Sequence, residues 1–401
     1  MASAASPTLP PEADALLRAG VAAMQRRDAA AARAAFERLA GFGPPVPPPW
    51  LLLAQACRLG GDGNAEARAL DALLAAEPRD LRGLVMRGDL HARAGDPRAM
   101  TSFYQAALKI AAGATAPLPP ALTAELDRVR HVLAQASLGY RDHLERALAA
   151  RGVGPRGRSA RVQESLDILY GEKQPYFQAP TSFFFPQLPQ RQFYEREEFA
   201  WLPTVEAAAP AMREELEALL TADDAAFTPY LEATPNRPVM QAHRVGDPSW
   251  TAYHLWRRGA PVPGHAERFP RTLEALRASG APLPRIGARS PMILFSSLRP
   301  GAHIPPHSGM LNSRLIVHLP LIVPPGCAFR VGNDVRSWEF GRALLFDDTI
   351  EHEAWNRGSE TRVILLFEIW RPELSGAERD ELTAVFEAIE SYGPGLGEYD
   401  G

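Results

Sequence analysis

From Met292 onward, apolar residues come in short runs separated by Pro, Gly and polar positions: MILFSSL, RLIVHLPLIV, CAFRV, RALLFDD and TRVILLFEIW. Runs of this length and punctuation predict five short strands of an antiparallel sandwich or jelly roll. Side chains alternate along a strand, so period two decides which residues share a face. Arg314, Ile316 and His318 fall on one face of their strand, and Leu315, Val317 and Leu319 on the other. Arg362, Ile364 and Leu366 share a face of the last strand. A cation on an inward face is costly unless something anionic meets it, so these positions point to a bound anion in the mouth of the sandwich.

Upstream the period changes. Gly20, Ala54 and Gly88 lie 34 apart, as do Asp28, Asp62 and Asp96, and Phe36, Leu70 and Tyr104. Small residues let two helices approach, each Asp caps the next helix, and the large residue fills the groove between them. The pattern resembles the tetratricopeptide repeat, at roughly three units from Asp14 to Ala112. Leu122, Leu126, Val129, Leu133, Ala136, Tyr140 and Leu144 step by three or four and predict one apolar stripe on a long helix that caps or docks the array. Residues 159–174, 204–220 and 264–278 read as further helices. Trp250–Gly259 alternates like a strand, with Thr251, Tyr253 and Leu255 opposed to Ala252, His254 and Trp256. The aromatic, Pro-rich stretch from Pro175 to Pro203 wraps across a sheet in this reading, with Phe183, Phe184 and Phe185 buried.

The expected architecture is multidomain α + β. It has a frayed tail at 1–10, a helical tetratricopeptide-like array with its capping helix at 11–150, and a jelly-roll domain at 155–395. A chain of 401 residues is long enough for separate cores, and 46% hydrophobic against 22% charged residues makes it globular. The net charge of −4 offers no basic surface for phosphate backbones and argues against nucleic acid. Two distant cysteines, Cys57 and Cys327, make no disulfide framework. No basic leader and no apolar run long enough to span a bilayer is found, so a cytoplasmic protein is expected. Basic residues are nearly all Arg, with Lys only at Lys109 and Lys173, so an Arg counts as functional only where its position says so.

His307 and His352 stand in loop-like sequence between the apolar runs. The chain has ten histidines, so the residues alone leave this pair open between metal ligands and fillers. His303 precedes His307 by four, but two prolines intervene and helical spacing does not apply; it reads as structural, as do His91, His131, His143, His243, His254 and His265. Glu351 and Glu353 flank His352 on the opposite side of their strand, and Asp347 reads as structural.

LRPGAHIPPHSG, RLIVHLPL, FDDTIEHEAWN and the Arg362 strand resemble the aspartyl/asparaginyl β-hydroxylase family of Fe(II)- and 2-oxoglutarate-dependent dioxygenases. WTAYHLWRRG and FFFPQLP are similar to it too, and the likeness covers roughly residues 175–374. The resemblance implies a double-stranded β-helix (cupin-like jelly roll) that uses Fe(II), 2-oxoglutarate and O2. It implies hydroxylation of an unactivated C–H, the β-carbon of Asp or Asn in a peptide or protein, with succinate and CO2 as co-products.

The same resemblance assigns His307 and His352 as the metal ligands, and Gly309 stands where the broader class carries a carboxylate. It gives Arg362 the distal carboxylate of 2-oxoglutarate, His318 and Ser296 hydrogen bonds to that cosubstrate, and Asp348 the orientation of an iron-bound water. Arg314 would meet an anionic group of the substrate, and Ile316 replaces a family arginine that helps hold the cosubstrate. The repeat array either docks a peptide or only scaffolds. Two alternatives stand beside this reading. One is the same chemistry on a free amino acid, a biosynthetic intermediate or a lipid-linked substrate. The other is a repeat-based adaptor of weak activity.

Overall fold

A computed structural model of the chain describes residues 9–222, 227–231, 245–287 and 289–392. His243, most of the predicted tail and the end of the predicted second domain lie outside them. The chain divides into two compact units that meet at Tyr170 and Gly171.

The first unit is helical: α1 (Pro11–Gln25), α2 (Ala29–Ala40), α3 (Trp50–Leu59), α4 (Gly63–Ala76), α5 (Leu81–Arg93), α6 (Pro97–Ala112), α7 (Pro120–Ala149) and α8 (Ala160–Leu169). The 34-residue period has the expected cause. Asp28, Asp62 and Asp96 are the N-caps of α2, α4 and α6, and each carboxylate accepts the N–H of the residue three further on, Ala31, Ala65 and Ala99. Gly20 lies against the Phe36 ring and Gly88 against the Tyr104 ring so closely that a Cβ on either would come within 2.4 Å of it. Asp89 on α5 ties three other helices to its own, accepting from Arg58 of α3, Tyr104 of α6 and Arg128 of α7.

The predicted stripe on α7 holds only in part. Leu122, Leu126 and Val129 are buried and Leu133 and Ala136 pack beside them, but Tyr140 is 47% exposed. α7 has 30 residues and packs on helices of 13 and 16, so its second half outruns them. α8 was expected in the second domain and belongs to the first unit instead. Arg158, just before it, pairs with Glu145, and Tyr170, just after it, donates to Glu145.

The second unit contains β1 (Phe193–Tyr194), α9 (Leu202–Ala207), α10 (Ala209–Ala222), β2 (Thr228–Pro229), β3 (Trp250–Arg257), β4 (Ala260–Pro261) and α11 (Pro270–Ser279). It continues with β5 (Ile293–Leu298), β6 (His303–His307), β7 (Arg314–Ile322), β8 (Cys327–Val331), β9 (Asp334–Arg336), β10 (Leu344–Phe346), β11 (His352–Asn356), β12 (Arg362–Trp370) and α12 (Gly376–Glu390). The large sheet runs β1-β10-β7-β12-β5-β3-β2, with β4 on β3, and the small sheet runs β6-β11-β8-β9. The strand pairings are antiparallel.

The two faces of the large sheet do different work. Leu315, Val317, Leu365 and Phe367 pack outward against Leu202, Val205, Met212, Leu216 and Leu276 of α9, α10 and α11. Ile316, Ile364 and Leu366 pack inward against Phe329, Val331 and Ala354 of the small sheet. The five predicted strands and their faces are thus present; the second unit is a jelly-roll sandwich, and the first is a helical repeat unit.

The departures have local causes. His307 and His352 sit on strands β6 and β11, not in loops. HIPPH carries one inward apolar residue, Ile304, and its prolines are tolerated because β6 is an edge strand. A bulge between His254 and Trp256 turns Trp256 to the outer core with Tyr253. The helix expected over 204–220 breaks between α9 and α10, because Pro210 has no N–H to return to the Glu206 carbonyl. α11 starts at Pro270 and not at 264, after a short 3₁₀ turn at Ala266–Arg268. α8 stops at Leu169, short of 174. Phe183 and Phe185 pack near Phe386, but Phe184 is 57% exposed. No helix among the described residues is long and apolar enough to cross a membrane.

The same substitution should act with opposite sign at two glycines of the helical unit. Gly88→Ala forces the Tyr104 ring aside and is expected to cost about 1–3 kcal/mol. Gly139→Ala, on the open face of α7 with nothing within 4 Å of the added carbon, is expected to gain about 0.5–1 kcal/mol. Urea unfolding followed by far-UV circular dichroism measures both.

Candidate active site

β6 and β11 are neighbours in the small sheet, and their register sets His352 opposite His307. The two imidazole centroids are 4.1 Å apart. Each ring makes a short local bond: His307 Nδ1–H donates to the Pro305 carbonyl at 2.8 Å, and His352 Nδ1–H to the Ile350 carbonyl at 3.1 Å. A carbonyl only accepts, so the proton sits on Nδ1 and Nε2 keeps its lone pair. Burial, and then His307, push His352 well below the usual imidazole range and keep it neutral. Neutral imidazoles with the remote nitrogen tied to a carbonyl are in the form that binds a metal. No group of three or more His, Cys, Asp and Glu side chains among the described residues could hold a metal together.

The pair faces a cavity of about 340 Å³ between the sheets. Ser296, Arg314, Ile316, His318, Asp348, Arg362 and Ile364 line it with both histidines, as strand alternation on β5, β7 and β12 requires. Arg362 is 1% exposed. Among the described residues it has no ion pair, its Nε has no hydrogen-bond partner, and the Trp338 ring lies 4.8 Å from its guanidinium carbon. Burial pushes its pKa down to about 10, still charged at neutral pH. An uncompensated buried cation costs several kcal/mol, in rough terms, and calls for an anionic ligand. Burial and then Arg362 push His318 well below the usual range, and its Nδ1 is also without a partner. The Ser296 hydroxyl accepts from the Trp250 indole at 3.3 Å.

Gly309 leaves no vacancy. A Cβ there would lie 2.0 Å from Asp348 Oδ2, so the Asp348 carboxylate occupies the space a side chain at 309 would need. The Gly309 N–H donates to the Asp348 carbonyl at 2.6 Å. Asp348 Oδ1 is buried without a partner. Burial, opposed by Arg314, raises the carboxyl to about 6. Arg314 is ion-paired to Glu368 on β12 and reaches Asp348 Oδ2 at 3.4 Å. The guanidinium expected to meet a substrate anion is therefore already held between two carboxylates of this chain.

The neighbouring acids and histidines have other partners. Asp347 accepts from Arg371 at 2.7 Å, Gln178 at 2.6 Å and the Thr349 hydroxyl at 2.6 Å. Glu351 and Glu353 both pair with Arg330, on the side of β11 away from His352. His303 meets Glu353 at 2.9 Å and stacks on Trp355. His91 stacks on Phe103, and His265 stacks on Tyr253 and donates to the His254 carbonyl. His131 and His143 are exposed on α7. His254, read as a filler, lines the cavity.

Sequence reasoning missed Glu368 and the aromatic walls Tyr230, Trp250 and Trp338. Glu368 left one signal: it is the lone acid in RVILLFEIW and lies six residues, three alternations, from Arg362. Its partner could not be read, because that depends on the β7–β12 register.

A double-layered antiparallel sandwich with a histidine pair on the small sheet and a buried arginine on the large one defines a jelly roll with a ligand site in its mouth. The sequence model of the aspartyl/asparaginyl beta-hydroxylase family matches residues 206–372. The chain is 36% identical over 137 residues to the aspartyl/asparaginyl beta-hydroxylase of Mus musculus, covering 34% of this chain and 18% of the relative. It is 33% identical over 187 residues to the ornithine lipid ester-linked acyl 2-hydroxylase of Rhizobium tropici, covering 46% and 62%. It is 32% identical over 224 residues to aspartate beta-hydroxylase domain-containing protein 2 of Mus musculus, covering 54% and 62%. The chain thus spans from under a fifth to about three fifths of the length of these relatives.

The adjacent acids should respond oppositely to neutralisation. Asp347→Ala removes the buried carboxylate that meets fully buried Arg371 at 2.7 Å, leaving it only the Glu373 carboxylate at 3.3 Å, and is expected to cost about 3–5 kcal/mol. Asp348→Asn removes a charge that burial disfavours and should stabilise the metal-free protein at pH 7.5 by roughly 1–2 kcal/mol. The sign follows from the raised pKa. Wild type loses stability as pH rises from the unfolded value of about 4 through the folded value of about 6. The advantage of Asp348→Asn should therefore grow across that window and vanish below it, as read by thermal unfolding at fixed ionic strength.

Proposed function

We propose that this chain is an Fe(II)- and 2-oxoglutarate-dependent dioxygenase that hydroxylates an unactivated C–H bond, at the β-carbon of an Asp or Asn residue in a peptide or protein. The observation that carries the reading is Arg362. It is a guanidinium buried in a small cavity without an anion of its own, beside two imidazoles that each present Nε2. A dicarboxylate cosubstrate would supply the missing charge, and the match of residues 206–372 to the hydroxylase family supports the chemistry that goes with it.

His307 and His352 would hold the iron through Nε2. When bound, the iron couples the oxidative decarboxylation of 2-oxoglutarate by O2 to hydroxylation, one oxygen atom going to succinate and the other to the product. The chain's own residues bind and orient. Arg362 forks onto the distal carboxylate of the cosubstrate. His318, kept neutral, and the Ser296 hydroxyl offer it hydrogen bonds. Trp338 and Phe329 stack on one another at a 5.4 Å centroid distance and keep water from that end of the cavity. Asp348 presents its unpartnered Oδ1 as an acceptor for a water. The repeat unit would serve as the docking surface for a peptide.

One observation favours a second substrate for the same chemistry. Arg314 is already engaged by Glu368 and Asp348, and Ile304, Ile316, Ile364 and Leu366 give the cavity apolar walls. An acyl chain of a lipid-linked molecule suits that lining, and the Rhizobium tropici relative is named for acyl 2-hydroxylation.

The purified protein is incubated with Fe(II), 2-oxoglutarate and O2 against two pools, cell peptides and cell lipids, with succinate and products 16 mass units heavier as readouts. Stoichiometric succinate and product are expected, lost in His352→Ala. The class of the heavier product separates the two substrates, and no succinate with either pool would sink the oxygenase reading. Arg362→Ala should weaken 2-oxoglutarate binding roughly 10–100-fold, the loss of a charged hydrogen-bonded pair, in calorimetry with Zn(II) in place of iron.

A further inference from the structure

The inner face of β12 carries a second charge. Glu368 is fully buried, in register with Ile316 of β7. It lies six residues from Arg362 on the same face, roughly 20 Å along the strand. Its carboxylate accepts the Met292 N–H at 3.1 Å and pairs with Arg314. Arg314 extends from there to Asp348 Oδ2. The chain of contacts ends at the space beside Gly309, which the Asp348 carboxylate fills with its Oδ1 buried and unpartnered.

We propose that Glu368 is a positioning residue of the metal site: it anchors Arg314, and the anchored guanidinium holds the Asp348 carboxylate in the Gly309 slot with one oxygen bare. The inference rests on the oxygenase reading and assigns within it a role to a residue that touches neither cosubstrate nor metal.

The backbone of Asp348 is already fixed by the Gly309 N–H, so what remains free is the side-chain rotation. Arg314 alone would not fix it. A guanidinium with one carboxylate partner closes on it bidentately, drawing both oxygens to itself. With Glu368 on Nη1, Arg314 meets Asp348 through Nη2 and one oxygen, while its Nε makes no hydrogen bond among the described residues. Two carboxylates against one guanidinium also leave one net negative charge beside the histidine pair, which favours a divalent cation. Glycine at 309 completes the arrangement, because any Cβ would expel the carboxylate.

The test is Co(II) affinity of the full chain, followed by visible absorption under anaerobic conditions without cosubstrate. Glu368→Gln keeps the shape and the acceptor for Met292. It should weaken Co(II) binding at least 10-fold, within the usual effect of losing an outer partner of a metal site. In an Asp348→Asn background the same substitution should have no further effect, because its route is gone. Arg314→Met severs the link from the other strand and should reproduce both results, which covers the case in which Glu368→Gln does not fold. Affinity within twofold of wild type in these variants would overturn the proposal, as would an equal loss in the Asp348→Asn background. Failure of the wild-type chain to bind Co(II) at all would overturn the oxygenase reading and this inference with it.

Discussion

The second unit depends on how β12 buries charge. The strand lies at the centre of the large sheet, between β7 and β5, and every one of its residues is buried. Its outer face, Val363, Leu365, Phe367 and Ile369, is wholly apolar and belongs to the core under the helices. Its inner face has Arg362 near one end and Glu368 near the other, with Ile364 and Leu366 between. A central strand cannot hide such groups by fraying or by turning out to solvent. Each charge must therefore be met inside the sandwich. Glu368 is met by Arg314, a partner the chain itself supplies. Arg362 is met by none among the described residues. That asymmetry separates a structural end of the cavity from a binding end.

The small sheet adds the complementary constraint. Two histidines on paired strands are brought face to face by register alone, and each is oriented by a carbonyl two residues back in its own chain. Such local bonds do not depend on distant loops, so the orientations of the two imidazoles are set by strand geometry. The third position next to them is handled differently. Gly309 removes a side chain, and Asp348 from the other strand connection fills the space. The carboxylate thus reaches the site from a position whose orientation is governed by Arg314 and Glu368, on the opposite sheet. The two sheets hold different parts of one site, and their packing holds the parts together.

Much of this was legible in the chain because its causes are local. An Asp before a helix caps it wherever the helix goes, and a Gly opposite an aromatic at a fixed spacing marks a close approach, so the repeats could be read from Asp28, Asp62, Asp96, Gly20 and Gly88. Period two placed Arg314, His318 and Arg362 on inward faces before any partner was known. What was not legible depends on register or on irregularity. HIPPH has too few apolar residues and too many prolines to read as a strand, and only the edge position of β6 permits it. The bulge that turns Trp256 outward has no residue signature. Glu368 could be seen as an odd acid in an apolar strand, but its bond to Arg314 requires the β7–β12 pairing. The expected roles of His307 and His352 as metal ligands, and of Arg362, His318 and Ser296 toward a cosubstrate, rest on family likeness, since ten histidines offer many pairs.

The position of Ile316 brings these threads together. Glu368 lies opposite it in register, and Arg314 lies one alternation away on the same strand. An arginine at 316 would sit between Glu368 and the cavity and compete with Arg314 for the same carboxylate. Isoleucine removes that competition and leaves Glu368 to a single cation. It also leaves Arg362 as the arginine of the inner face that lacks an internal partner. The absence of a second arginine on this stretch of the inner face and the tight pairing of Arg314 are then two consequences of isoleucine at this position. They make the cavity more apolar at its middle and concentrate its demand for an anion at the Arg362 end.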